Sequence, residues 1–278
     1  MINIKGKEYK LAFVDTCILS QMVRDDKFCL EVLNKSVEEK WIFCVSMYNL
    51  VELKQCNNDE KLNRFIEIFD NIPNVFIIKS HVAVIKEEVD SYIKGFKQEQ
   101  ILQVKIGSTS SVKLKEVLFE FKEFNDFEKE FMSTREDTLN IIQTNLKDSK
   151  YNPTNPTEIK NFVINGTLTQ LSLRHPTFLK NRISFIKKHN LITKERIEDK
   201  FPSLKLMHYI MYYKFLTNRN MELSDVGDLV MVAPIPYMDI VLIEKQQAEF
   251  LRQIGSKMKE IKKLEIYKMN DKNLIKVQ

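Results

Sequence analysis

The chain has 278 residues, with 43 Lys+Arg against 38 Asp+Glu, a formal net charge of +5, 44% hydrophobic and 29% charged residues. That length allows a sizeable core, as one large domain or two small ones, and only 6 Gly and 7 Pro exclude collagenous, linker-rich and disordered architectures. The glycines are also too far apart for a dinucleotide-binding fingerprint or a Walker loop. In chain order, the apolar run LAFV (Leu11 to Val14) predicts a buried parallel strand ending at Asp15, and residues 18–38 read as helical. WIFCV (Trp41 to Val45) predicts a second strand, with Ser46 as the N-cap of a helix reaching roughly Phe69. After Pro73, VFII (Val75 to Ile78) predicts a third strand and His81 to Phe96 a helix. From about Lys97 to Arg219 almost no strand is convincing. There Val117, Phe121, Phe124, Phe127 and Phe131 recur at helical spacing as a core stripe, YNPTNPTE (Tyr151 to Glu158) reads as a loop, and helices cover roughly 176–189 and 203–217. The α/β pattern then returns. Ser224 to Val232 predicts a short helix stopped by Pro234 and Pro236, IVLI (Ile240 to Ile243) a strand, Lys245 to Ile261 a helix and LEIY (Leu264 to Tyr267) a last strand.

Strands alternating with helices at both ends predict an α/β fold with a parallel sheet flanked by helices and built from both chain ends. The expected division is a discontinuous sheet domain over 1–96 and 220–278, with a mostly helical insertion over 97–219. The four cysteines, Cys17, Cys29, Cys44 and Cys56, make no CxxC pair and follow no apolar leader segment, and no apolar run approaches the ~20 residues of a membrane span. A reduced cytoplasmic protein is the expectation, with the cysteines as small core residues. The histidines are scattered without zinc-ligand spacing.

Carboxylates fall where such a sheet would expose them. Asp15 follows the first strand; Glu52 lies two turns into the helix after the second, with Asn49 on the same face; Asp225 and Asp228 sit three apart in SDVGDL; Asp239 and Glu244 bracket IVLI. A single Asp after a strand is more often a turn or cap residue than a ligand, and Asp225 and Asp228 alone would suit a helix N-terminus. Several carboxylates in one cleft repel, however, and a hard divalent cation neutralises them. Mg²⁺ or Mn²⁺ so held acidifies a bound water and stabilises charge on phosphate oxygens, which points to phosphodiester hydrolysis rather than acyl or hydride transfer. Asp239 and Glu244 stand about 15 Å apart along an extended strand, so they cannot share one ion, and the carboxyl-edge position favours Glu244.

The blocks FVDTCIL, VSMYNLVELKQ and SDVGDLVMVAPIPYMDIVLIEK resemble the acidic blocks of the PIN-domain family of metal-dependent nucleases. The resemblance covers roughly residues 8–95 and 220–270. It implies a Rossmann-like sheet and a divalent-metal-dependent endoribonuclease. Asp15 would be the first acid, Glu52 the second, Asp225 or Asp228 the third, and Asp239 or Glu244 the fourth. The small toxins of that family are about half this length, so the helical middle has no counterpart in them. The resemblance also implies a toxin or defence role, held by an antitoxin or other regulatory protein. RNA rather than DNA as substrate comes from the resemblance alone.

Between Arg174 and Lys200 there are eight Lys/Arg against three Asp/Glu, an excess equal to that of the whole chain. Lys180, Arg182, Lys187 and Lys188 in this segment are candidate phosphate contacts, beside the alternative of an ordinary solvated face. Tyr209, Tyr212 and Tyr213 could stack on bases, but core packing is the stronger expectation. A different class of function is a PIN-like module that binds nucleic acid or protein without catalysis.

Overall fold

The computed structural model describes residues 1–4, 6–55, 58–92, 95–147, 155–174, 197–215, 221–270 and 273–278. Strand β1 (Ile2–Ile4) leads into β2 (Lys7–Val14), whose last four residues are buried; helices α1 (Thr16–Arg24) and α2 (Asp26–Glu38) follow. Next come β3 (Trp41–Ser46), buried throughout, α3 (Met47–Lys54), α4 (Asp59–Asn71), β4 (Val75–Ile78) and α5 (His81–Asp90). The middle holds β5 (Leu102–Ile106), α6 (Leu114–Phe119), α7 (Lys122–Lys147), α8 (Pro156–Arg174) and α9 (Pro202–Phe215). The chain closes with α10 (Leu223–Met231), β6 (Ile240–Ile243), α11 (Lys245–Gly255), α12 (Lys259–Lys262), β7 (Glu265–Asn270) and β8 (Asn273–Lys276).

The sheet runs β5-β4-β3-β2-β6-β7-β8, with β1 on β2. Its centre is parallel, β2 pairing with both β3 and β6, β3 with β4, and β6 with β7. The outer pairs β4–β5 and β7–β8, and β1–β2, are antiparallel. The sheet is therefore mixed where the apolar runs predict a parallel one. The central strands were readable because both their faces are covered; β1, β5 and β8 are short, half-exposed and carry no clear period. Beyond β2 the chain builds outward through β3 and β4 on one side, then through β6 and β7 on the other. Strand order thus reverses at β2 and β6, and the carboxyl ends of those two strands define the switch point.

Three helices expected to be continuous are interrupted. Residues 18–38 divide at Asp25, whose Oδ1 accepts from Lys27 N (3.0 Å) and Phe28 N (3.2 Å) and so starts α2. Asn58 starts α4 in the same way by accepting from Lys61 N at 2.9 Å. The helix after β6 ends at Gly255, and α12 is a separate turn. A short polar side chain that bonds to nearby backbone offers the chain an alternative to continuing a helix.

Two compact units result: residues 1–84, 97–135 and 234–278 in one, 85–96 and 136–233 in the other. In the first, Ala12, Val14, Phe43, Val45, Val75, Ile77, Ile240 and Leu242 from the sheet pack with helix residues such as Ile18, Leu50 and Phe69. The expected stripe joins this core: Val117 and Phe124 are buried in it, and Phe121, Phe127 and Phe131 pack against it. In the second, α8 packs on α9, and Ile85, Leu171, Phe201 and Leu204 form a smaller core. Tyr209 and Tyr212 are buried, as core residues rather than a stacking platform. Among the described residues no helix is long and apolar enough to cross a membrane.

Candidate functional site

Asp15 follows the last residue of β2 and is only 5% exposed. Its N–H donates to Leu242 O of the neighbouring β6 at 2.9 Å, and its side chain accepts from Thr16 N at 2.7 Å as the N-cap of α1. The Cys17 thiol donates to Asp15 Oδ2 at 3.2 Å. Burial, then the charge of Asp15 and this hydrogen bond, then the charge of Glu244, push the Cys17 thiol far above its usual range. The charges of Asp15 and Glu244 therefore act on one side chain.

Glu244 takes its position from β6. Val14 and Leu242 are register partners, so Asp15 and Glu244 lie at the same edge of adjacent parallel strands. Glu244 occupies the N-cap position of α11, but its side chain does not cap that helix.

Glu52 is placed by a chain of hydrogen bonds. Ser46, the last residue of β3, forms a reciprocal capping box with Asn49: Ser46 N donates to Asn49 Oδ1 (2.9 Å), and Asn49 N donates to Ser46 Oγ (3.1 Å). Asn49, 0% exposed, then donates through Nδ2 to Thr16 Oγ1 at 2.8 Å, and Thr16 donates its hydroxyl proton to Glu52 Oε2. A hydroxyl has a single proton, so Asn49 on one side and Glu52 on the other fix its direction. Glu244 is brought to the same edge by the β2–β6 register, while residues Thr16 and Cys17, adjacent in sequence, bond Glu52 and Asp15. Neither was singled out in the sequence, although a hydroxyl immediately after a strand-end Asp was visible there.

The other candidates are held by other partners. Asp239 is at the amino end of β6, where its carboxylate accepts from Leu11 N at 2.9 Å and pairs with the Met1 amino group at 2.8 Å. As a candidate ligand alongside Asp15 it is corrected by this position, a full strand length of roughly 15 Å from the carboxyl edge. Asp225 and Asp228 belong to the second unit, where Lys214 of α9 reaches Asp225 Oδ1 at 2.6 Å and Asp228 Oδ2 at 2.5 Å. Lys214 is 5% exposed. Burial alone would lower its pKa, but Asp228 and Asp225 reverse that and raise it above 10.5. The sequence argument required a cation for these carboxylates, and here the protein supplies one. A lone Lys in the aromatic run HYIMYYKF was the available signal, since Lys is almost never fully buried without a partner.

Lys180, Arg182, Lys187 and Lys188 lie outside the described residues. Among the described residues, no group of three or more His, Cys, Asp or Glu side chains is gathered closely enough to hold a metal ion. Mg²⁺ needs only one or two protein carboxylates and keeps several waters, so Asp15 and Glu244 suit it chemically without a closed cage.

No protein-family model, curated protein or solved structure matches this chain.

Proposed function

We propose that the chain is a divalent-metal-dependent nuclease of PIN-like type that hydrolyses RNA phosphodiester bonds. The observation that carries this reading is the placement of Asp15 and Glu244 at the carboxyl ends of adjacent parallel strands at the switch point of the sheet, with Glu52 bonded to Thr16, the residue after Asp15. Asp15 is buried there while Glu52 and Glu244 are half-buried, and acids so placed are an electrostatic cost for which a purely structural role gives no reason. Asp15 and Glu244 would hold Mg²⁺ or Mn²⁺, which supplies charge neutralisation at the phosphate and an acidified water. Glu52, held through Thr16 and Asn49, is the acceptor for the proton of the attacking water. That water's oxygen would form the new bond to phosphorus as its proton passes to Glu52, and the ribose oxygen of the cleaved ester would leave and take up a proton from solvent. The Cys17 thiol stays protonated and keeps one Asp15 oxygen oriented by donating to it.

A non-catalytic binding module is the second reading. The Lys214 clamp favours it, because two of the predicted acids already have a protein cation and so act structurally.

The test is cleavage of single-stranded RNA and DNA across a Mg²⁺ and Mn²⁺ titration with an EDTA control. Asp15→Asn should keep the N-cap acceptor and the fold while reducing the rate by about 100-fold or more, on the order of 3 kcal/mol of barrier. Circular dichroism and a melting curve check the folding. Undiminished, metal-dependent cleavage by folded Asp15→Asn would remove the assignment.

A further inference from the structure

Beside the acid edge, within the sheet-bearing unit, α1, α3 and α4 enclose a cleft of about 70 Å³. Thr16 and Glu52, bonded to each other, line it; Val23, Leu53 and Leu62 give it apolar walls; Ser20 adds a half-buried hydroxyl. Arg24, on α1 two turns beyond Thr16, and Lys61, in the first turn of α4, complete the lining, and both are exposed. Among the described residues neither cation takes part in an ion pair.

We propose that this cleft seats one unpaired nucleotide of the substrate, its base between the apolar walls and its phosphate on Arg24 and Lys61. The proposal rests on the ribonuclease reading above, and it deepens that reading by making the substrate single-stranded at this position. Three features select the occupant. One buried water needs roughly 10–15 Å³ by the same measure, so the cleft holds the equivalent of about five waters: room for one ring system, too little for a helix or a peptide strand. Apolar walls with the Ser20 hydroxyl suit a flat ring that presents a hydrogen-bonding edge, since Ser20 can donate and accept while the Thr16 hydroxyl proton is committed to Glu52. Two exposed cations that take part in no ion pair among the described residues suit a phosphate, with Arg24 able to bind it through a planar fork. The order along the cleft also matters. With a phosphate at Arg24 and Lys61 and a base in the middle, the chain of the substrate continues toward Glu52 and the acid edge. A paired base cannot enter a cleft this narrow, so duplex RNA is excluded from it.

The experiment measures binding of a short single-stranded RNA and of the same sequence as a duplex to the full chain in EDTA, where no cleavage occurs. Arg24→Ala/Lys61→Ala replaces exposed side chains and leaves packing alone, while Ser20→Phe fills the cleft. Both variants should weaken single-strand binding about tenfold and leave duplex binding within twofold. The paired charge removal should also reduce the slope of log K against log salt by about 1.4, the value for two contacts to a single strand. Unchanged single-strand affinity in the folded double-alanine variant overturns the proposal, as does equal weakening for duplex. The two readings fail separately. A protein that never cleaves yet shows these binding losses refutes the nuclease and keeps the cleft; one that cleaves but binds normally in both variants does the reverse.

Discussion

His208 shows what burial does to one side chain. It lies in α9, 5% exposed, with Nδ1 donating to Leu204 O at 2.7 Å. Burial lowers its pKa to about 4, against the weaker opposing pull of the backbone hydrogen bond. The native ring therefore stays neutral where the unfolded chain, with its ordinary value of 6.5, takes up a proton. Stability is then lost as the pH falls from 6.5 towards about 4, and this group adds no further loss below that. By about pH 5 the loss is on the order of 2 kcal/mol, and urea unfolding of His208→Gln should show a correspondingly smaller drop between pH 7 and pH 5. Lys214 has the opposite sign. Its raised pKa makes its contribution complete below 10.5 and lost as pH rises through the higher native value. Lys214→Met leaves two carboxylates without their cation, and because both keep some exposure the cost should be about 2 kcal/mol, below the full penalty of an isolated buried charge. That deficit, read by chemical denaturation, should shrink as the pH rises beyond 10.5 through the higher native value and the wild-type ammonium deprotonates. A deficit constant with pH would mean that Lys214 acts by packing alone.

At the level of elements, the α8–α9 crossing depends on one missing Cβ. A Cβ on Gly166 would lie 2.2 Å from His208 Cδ2 and 2.5 Å from Nε2, and the ring is held by its bond to Leu204. Alanine would improve helix propensity by about 1 kcal/mol, but overpacking of this size costs about 1–3 kcal/mol. Gly166→Ala should therefore lower stability by about 1 kcal/mol, and by no more than about 2, by thermal or urea unfolding. In a His208→Ala background the clash is gone, and the same substitution should be neutral or stabilising. Most of the described helices were legible in the apolar spacing, but α8 was not, its first turn falling in the proline-bearing stretch read as a loop; the helix expected over 176–189 lies outside the described residues. The breaks at Asp25 and Asn58 were not legible either. Both residues suit a helix surface or a cap equally well, and only the direction of the next helix decides between the two. Strand β5 was missed for a related reason. LQVKI is half-buried at a sheet edge, so its side chains do not alternate cleanly between core and solvent.

For the molecule as a whole, charge distribution gives a prediction independent of the site geometry. If the excess of eight Lys/Arg over three Asp/Glu between Arg174 and Lys200 tracks the RNA backbone, Lys187→Glu/Lys188→Glu should weaken binding to all sequences and flatten its salt dependence. Turnover at saturating RNA should stay near wild type, and an unaltered salt slope makes the segment a solvated face. The sequence by itself determined the central strands, because LAFV, WIFCV, VFII and IVLI are too apolar to lie anywhere but inside. It also determined that Asp15 and Glu244 end two of those strands, since strand polarity follows chain direction. Which acids meet was decided only by tertiary structure. Adjacency of β2 and β6, strands more than two hundred residues apart in the chain, brings Asp15 beside Glu244, and no local pattern encodes that pairing. The same holds for Lys214, whose ammonium finds Asp225 and Asp228 through the packing of one helix on another. Periodicity reports which face of an element is buried; which partner covers that face depends on the fold as a whole.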